Sequence, residues 1–312
     1  MNPQLESVIV EIEKAVRGKR PVIEHILSAL LAEGHILLDD MPGVGKTTLA
    51  VALSRAVGLT YRRVQFTPDV LPSDIVGFTM FDAQSGRFVY RPGAATHANL
   101  LLADEINRTS SKTQSALLEA MEERQITVDG ETRPLEKPFV VIATQNNVGT
   151  AGTQLLPYAQ MDRFMVRLSV GYPDRDAQMA LLKDRLSENP LDSVAQVLTR
   201  EALLAMQAEV RAVQTNDALL DYITRLTIAS REQPSVEVGV SPRGALLLCR
   251  MAKARAYLLG RHFVVSEDVQ AVFAPVCAHR LILTAKARLA GVSPEAVAHD
   301  LLAVVPNPDY AA

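Results

Sequence analysis

Met41-Pro42-Gly43-Val44-Gly45-Lys46-Thr47-Thr48 is the stretch on which the fold turns. It comes after an apolar run, His35-Ile36-Leu37-Leu38-Asp39, that reads as a buried strand. It opens a segment whose apolar residues Leu49, Ala52, Leu53 and Ala56 recur at helical spacing. A glycine loop between a strand and a helix N-terminus is a phosphate cradle, because backbone amides and the positive end of the helix dipole converge on an anion. Pro42, Gly43, Val44 and Gly45 form the loop, and the two glycines let the main chain approach the phosphates. Lys46 can reach the β and γ oxygens, and the Thr47 hydroxyl can ligate magnesium, with Thr48 next to it in the first helical turn. ATP and Mg2+ are therefore the expected ligands. The strict pattern of such loops has glycine where this chain has Asp40.

Moving outward, Asn99-Leu100-Leu101-Leu102-Ala103-Asp104-Glu105 is an apolar strand ending in two carboxylates, which places charge at the C-terminal edge of a sheet beside the cradle. Asp104 is expected to hold magnesium, directly or through water, and Glu105 to orient and polarise the attacking water. Further strands are expected at 61–66, 139–144 and 164–170, and the helices between them imply a parallel sheet with crossovers. Two hairpins interrupt this α/β plan, turning near Gln84-Ser85-Gly86 and at Asp129-Gly130, a pair suited to a tight two-residue turn. Phe88 and Tyr90 alternate along the first hairpin and are expected to pack within it. Ser111-Lys112-Thr113-Gln114 has capping-box spacing and should open a helix bearing Leu117, Leu118 and Met121. Beyond Gly171-Tyr172-Pro173-Asp174 the strand signals fade, and 177–311 reads mainly as helix. Two domains are expected, 1–174 and 175–312.

Together these segments resemble the AAA+ ATPases, and within them the MoxR family, over nearly the whole chain. The similarity is carried by Gln65-Phe66-Thr67-Pro68-Asp69, Leu71-Pro72-Ser73-Asp74, residues 100–108 and 112–123, and Ala143-Thr144-Gln145-Asn146. In that family the first loop glycine is commonly replaced, so Asp40 becomes a similarity. The resemblance implies a five-stranded parallel sheet ordered 5-1-4-3-2, a C-terminal helical lid, and insertions matching the hairpins at 80–91 and 125–133. It implies that Asn146 is the sensor helping to place the attacking water; the family usually has proline next, whereas Asn147 stands there in this chain. Gln160-Met161-Asp162-Arg163-Phe164 is similar to the segment whose arginine enters a neighbouring subunit's site, which makes Arg163 the candidate arginine finger. Ser241-Pro242-Arg243 is similar to the sensor-2 element, so Arg243 is expected to touch the γ-phosphate. Gly18, Lys19 and Val22 are expected near the adenine. A homo-oligomeric ring, hexameric, is implied, working beside a von Willebrand factor A domain protein to mature or activate a client enzyme complex.

Composition limits the alternatives. The chain has 312 residues, 48% of them hydrophobic, and a formal net charge of -3, which gives no bulk reason for binding nucleic acid or an anionic membrane. A nucleic-acid motor and an ATP-gated assembly switch with little turnover are the competing readings. The first fifteen residues carry Glu6, Glu11 and Glu13 and lack the pattern of a secretory signal, so a cytoplasmic protein is expected. Glu33, His35 and Asp39 break the most apolar early segment before it reaches membrane-spanning length. Cys249 and Cys277 lie in apolar surroundings and read as reduced core residues, and the six histidines show no zinc spacing.

Overall fold

The computed structural model describes residues 1–146, 156–185 and 189–308, so Asn147 lies outside the described residues. Two helices come first, α1 (Pro3–Ala15) and α2 (Arg20–Leu31). Asn2 caps α1 by accepting from Gln4 N, and the buried stripe of Leu5, Val8, Ile9 and Ile12 has helical spacing. The α/β segment then runs β1 (Ile36–Asp39), α3 (Lys46–Val57), β2 (Tyr61–Gln65), α4 (Pro72–Val76), β3 (Phe78–Asp82), β4 (Arg87–Arg91), β5 (Leu100–Asp104) and α5 (Ser111–Glu123). It continues through β6 (Gln125–Val128), β7 (Glu131–Pro134), β8 (Val140–Gln145), α6 (Tyr158–Met161) and β9 (Val166–Leu168).

Five of these strands form one parallel sheet in the order β2-β5-β8-β1-β9. Counting only its members along the chain, this is 5-1-4-3-2 read from the other end. Alternation splits its side chains between two buried layers. Ile36, Leu38, Leu100, Leu102, Val140 and Ile142 pack with α1, α2, α3 and the C-terminal helices. Leu37, Leu101, Ala103, Val141 and Ala143 face α5 and the rings of Phe66, Phe139 and Phe164. The expected fifth strand is shorter than its apolar run.

Both hairpins are present as separate two-stranded sheets, β3-β4 and β6-β7. Asp129 and Gly130 both have positive φ, 50° and 81°, as a tight hairpin turn of this sequence requires. Tyr90 packs as expected, its hydroxyl donating to Val76 O at 2.6 Å and Arg133 lying 4.2 Å above its ring. Phe88 does not: it is 76% exposed, its ring set edge to face against Phe81, itself 55% exposed, because that face of the hairpin tip projects beyond the core. The cap of α5 is Ser110 rather than Ser111. Its Oγ accepts from Thr113 N, and Gln114 reaches Ile106 O instead of the cap.

The remainder comprises α7 (Arg175–Arg185), α8 (Arg200–Ala212), α9 (Asp217–Glu232), β10 (Val236–Val238), α10 (Pro242–Leu258), α11 (Ser266–Cys277), β11 (Ile282–Leu283), α12 (Ala285–Leu289) and α13 (Pro294–Val304). The small antiparallel pair β10-β11 is an addition to the all-helical expectation; its strands are too short to leave a periodic signal. Gln207 of α8 donates to Leu30 O and Arg250 of α10 to Ala32 O, so these helices are pinned to the C-terminal end of α2. Cys277 is fully buried, which pushes its thiol up to about 12, and Cys249 is half-buried. Among the described residues no helix is long and apolar enough to cross a membrane.

Ile142 sits in the central strand with no exposed surface. Ile142→Ala is expected to cost about 2–5 kcal/mol in urea unfolding and Ile142→Val about 0.5–1.5, the difference reporting the cavity.

Candidate active site

The loop after β1 has the geometry a phosphate cradle needs. Gly43 and Gly45 have φ of +83° and +96°, a region that side chains disfavour, and nothing lies within 4 Å of a Cβ built on either. Gly45 begins α3 with no side-chain cap, so the first-turn amides of the helix face the loop uncapped. Lys46 is only 7% exposed, and its Nζ donates to Asp40 O at 2.7 Å, Gln145 O at 3.2 Å and Asn146 Oδ1 at 2.7 Å. Burial lowers its pKa below the usual lysine range against the opposing pull of Asp40, Asp104, Asp39 and Glu105.

Asp40, which in the sequence is only a departure from the loop pattern, is a structural tie. Its Oδ2 accepts from Ser169 Oγ at 3.0 Å and Gly171 N at 2.6 Å, and its Oδ1 from Met41 N at 2.9 Å. The start of the cradle is thereby fastened to the segment leaving β9. Burial raises this carboxyl's pKa, but the hydrogen bonds outweigh it and hold the group below the ordinary aspartate range.

The two carboxylates of the neighbouring strand stand at the same edge. Asp104 accepts from Thr144 Oγ1 at 2.6 Å and from Arg63 Nη2 at 2.7 Å. Glu105 turns out of β5 with φ of 57°, an uncommon conformation for a residue with a side chain. Its amide donates to Thr144 Oγ1 at 2.9 Å, while its carboxylate accepts from Asn146 Nδ2 at 2.9 Å, Gln65 Nε2 at 2.9 Å and Arg108 Nη1 at 2.8 Å. Asn146 therefore bridges Lys46 and Glu105 through the two ends of one amide. Lys46, Asp104, Glu105 and Asn146 are brought together; Thr144, Gln65 and Arg108 are the partners that motif reading passed over, although all three lie inside the stretches that carried the resemblance.

Arg163 and Arg243 are elsewhere. β1 and β9 run parallel with Ile36 opposite Val166, and Met165 N donates to His35 O. Arg163 thus lies at the N-terminal edge of the sheet, whereas the cradle stands beyond its C-terminal edge. The 4 residues of β1 alone separate the two by about 13 Å. Arg243, in the first turn of α10, shares that edge: Arg243 Nη2 and Arg163 Nε both donate to Glu122 Oε2, at 2.7 and 3.2 Å, beside a cavity of about 250 Å³. Burial raises the Glu122 pKa, but the two guanidinium groups prevail and lower it. His35 anchors this corner, accepting from Val141 N and bonding to Met121 O; burial drives its imidazole down to about 3, so it is neutral. The expectation that Arg243 touches the γ-phosphate is corrected for the chain's own cradle: α10 is packed on α2, at the far edge.

A second cavity, of about 220 Å³, opens between the loop and the α1–α2 connection, with Val16, Lys19, Gly45, Thr48 and Tyr172 in its walls. Lys19 Nζ donates to Tyr172 O at 2.7 Å, whereas Val22 is partly buried and packs against the core. Among the described residues no group of three His, Cys, Asp or Glu side chains could hold a metal by itself. The Thr47 hydroxyl and Asp104 carboxylate are hard oxygen donors at the cradle, a set that fits magnesium completed by phosphate and water.

A cradle of this build on such a sheet defines a P-loop ATPase of the AAA+ class. Residues 35–166 match the family described as ATPase family associated with various cellular activities (AAA), and 228–301 match the AAA lid domain. YeaC of Bacillus subtilis (strain 168), an uncharacterised protein, is 42% identical over 99% of this chain and 96% of its own length. The chaperone MoxR1 of Mycobacterium tuberculosis is 38% identical, covering 97% of this chain and 82% of MoxR1. A crystal structure from Cytophaga hutchinsonii, of a protein assigned as an ATPase, superposes with a TM-score of 0.91 at 35% identity, over 98% of this chain and 95% of that one. The chain belongs to the MoxR family of AAA+ ATPases, and its activity is ATP hydrolysis.

Thr144→Val removes the hydroxyl that serves both Asp104 and Glu105 while keeping the shape. We expect a stability loss of about 1–3 kcal/mol and a fall in kcat on the order of tenfold to a hundredfold, read from denaturant melts and steady-state turnover. Asp40, with its pKa depressed on folding, contributes stability that is fully present above its unfolded value of about 4 and is lost as pH falls through the folded value. The stability advantage of wild type over Asp40→Asn should therefore shrink on acidification below about pH 4 and stay constant between about pH 6 and 8.

Proposed function

We propose that the chain works in the cytoplasm as a homo-oligomeric ring, hexameric, in which each ATP site is completed by Arg163 and Arg243 of the adjacent copy. The observation that carries this reading is the common position of the two arginines on Glu122, at the sheet edge opposite their own cradle. Cations there lie too far from the cradle of the same chain to serve its phosphates, which supports a role toward a second copy. The core is taken as 1–174 and the lid as 175–312.

The mechanism rests on the side chains in place. Pro42, Gly43, Val44, Gly45 and Thr48 bind the phosphates through the loop and first helical turn, and Lys46 exchanges its contact with Asn146 for the β and γ oxygens. Thr47 and Asp104 would hold magnesium, which when bound neutralises charge between those oxygens. Glu105 orients a water in line with the γ-phosphorus and draws on its proton; the water oxygen bonds to phosphorus as the bond to the ADP oxygen breaks. Asn146, donating to Glu105, sets the angle of that carboxylate. The neighbour's arginines stabilise charge on the transferring group.

The work done by this turnover is remodelling of a client protein complex beside a von Willebrand factor A domain partner, a reading supported by the family and by the chaperone description of its mycobacterial relative. Turnover measured against protein concentration, with mass by light scattering, tests the shared site. Specific activity should rise with assembly, and Arg163→Ala should bind nucleotide normally while losing on the order of a thousandfold in rate. Full turnover by a wild-type monomer, or normal hydrolysis by Arg163→Ala alone, contradicts it.

A further inference from the structure

Among the described residues Arg280 is the largest side chain to be completely enclosed, at 1% exposure, yet it has no part in the hydrolytic step. It sits in the turn after α11, and its guanidinium reaches the segment that carries Arg163. Nε donates to Asp162 Oδ1 at 2.8 Å, and Nη2 to Asp162 O at 3.0 Å and Phe164 O at 2.6 Å. Nη1 donates to Met165 O at 3.4 Å, to Val276 O and to His279 Nε2. Arg163 is thus bracketed on both sides by main-chain oxygens held from the lid. In return Tyr158, just before the finger segment, donates its hydroxyl to Arg280 O at 3.0 Å.

The same node touches the other arginine. Asp162 Oδ2 accepts from Ser241 Oγ at 3.4 Å, and Ser241 is the N-cap of α10, two residues ahead of Arg243. Gly244 leaves the space in which Arg280 lies: a Cβ there would meet Arg280 Cδ at 2.9 Å. A planar, permanently charged fork with five donors holds one loop in one orientation, which a lysine ammonium cannot reproduce.

We infer that Arg280 and Asp162 are positioning residues that hold Arg163 and Arg243 in one frame and tie that frame to the lid, so that lid position sets whether both arginines reach the adjacent subunit's phosphate. This rests on the shared-site reading. The two residues touch no substrate; they act through the arginines.

The test uses Asp162→Asn and Arg280→Lys, both conservative, each checked for native melting and assembly. In rings of a single variant, affinity for an ATP analogue should stay within about twofold of wild type while kcat falls by about tenfold or more. Co-expression with Glu105→Gln subunits should then restore turnover above the value for simple dilution, since the variant's intact cradle receives arginines from a neighbour whose finger segment is intact. Arg163→Ala co-expressed with Glu105→Gln is the control. Rescue of the control without rescue of Asp162→Asn overturns the positioning role, as does unchanged turnover or lost nucleotide affinity in Asp162→Asn. Absence of rescue in the control removes the shared site itself, and this inference with it. Should Arg280→Lys fail to fold, Asp162→Asn decides alone.

Discussion

In an all-parallel sheet every strand has the same polarity, so the segments leaving the strands gather at one edge and the segments entering them gather at the other. The arrangement of this enzyme depends on that constraint. The cradle after β1, Asp104 and Glu105 at the end of β5, and Asn146 after β8 meet at the C-terminal edge, whereas His35 before β1 and Arg163 before β9 meet at the N-terminal edge. Placing β1 between β8 and β9 sets the cradle directly next to Asn146. It also puts the segment of Arg163 at the edge remote from the same chain's cradle.

At the C-terminal edge the problem is electrostatic. Asp39, Asp40, Asp104 and Glu105 crowd around a single buried lysine, and each carboxylate has a partner rather than being left facing the others. Asp40 is engaged by the segment leaving β9, Asp104 by Thr144 and Arg63, Glu105 by Asn146, Gln65 and Arg108. Thr144 and Asn146, on β8 and just beyond it, therefore order the two acids of the next strand. At the opposite edge the sign is inverted: Arg163, Arg243, Arg124 and Arg250 surround Glu122 and the neutral His35. One edge gathers acids around a lysine, the other gathers arginines around an acid.

How much of this is legible in the sequence depends on the range over which each signal acts. Apolar runs bounded by turn residues locate the strands of the main sheet other than Tyr61–Gln65, which carries Arg62, Arg63 and Gln65, and Lys46, Asp104 and Glu105 are legible because their roles rest on short spacings next to those runs. Strand order and Asn146 come from resemblance. Arg243 shows the limit: a dipeptide after a serine cap gives its helix position, but which edge it faces depends on α10 packing against α2, more than two hundred residues away in sequence. Arg280 leaves no local mark at all, since an arginine in a helical stretch reads as surface until tertiary contacts enclose it. Phe88 errs in the other direction, because alternation in a hairpin identifies a face without saying whether anything covers it.

The most direct test of the shared site is the structure of the assembled Glu105→Gln variant with ATP bound, resolved well enough to place the Arg163 guanidinium. Arg163 should have left Glu122 and should lie within hydrogen-bonding distance of the γ-phosphate held by the adjacent subunit's Lys46. Arg163 still bound to Glu122 in an ATP-loaded assembly, with the adjacent cradle served by no residue of its neighbour, would contradict the shared site.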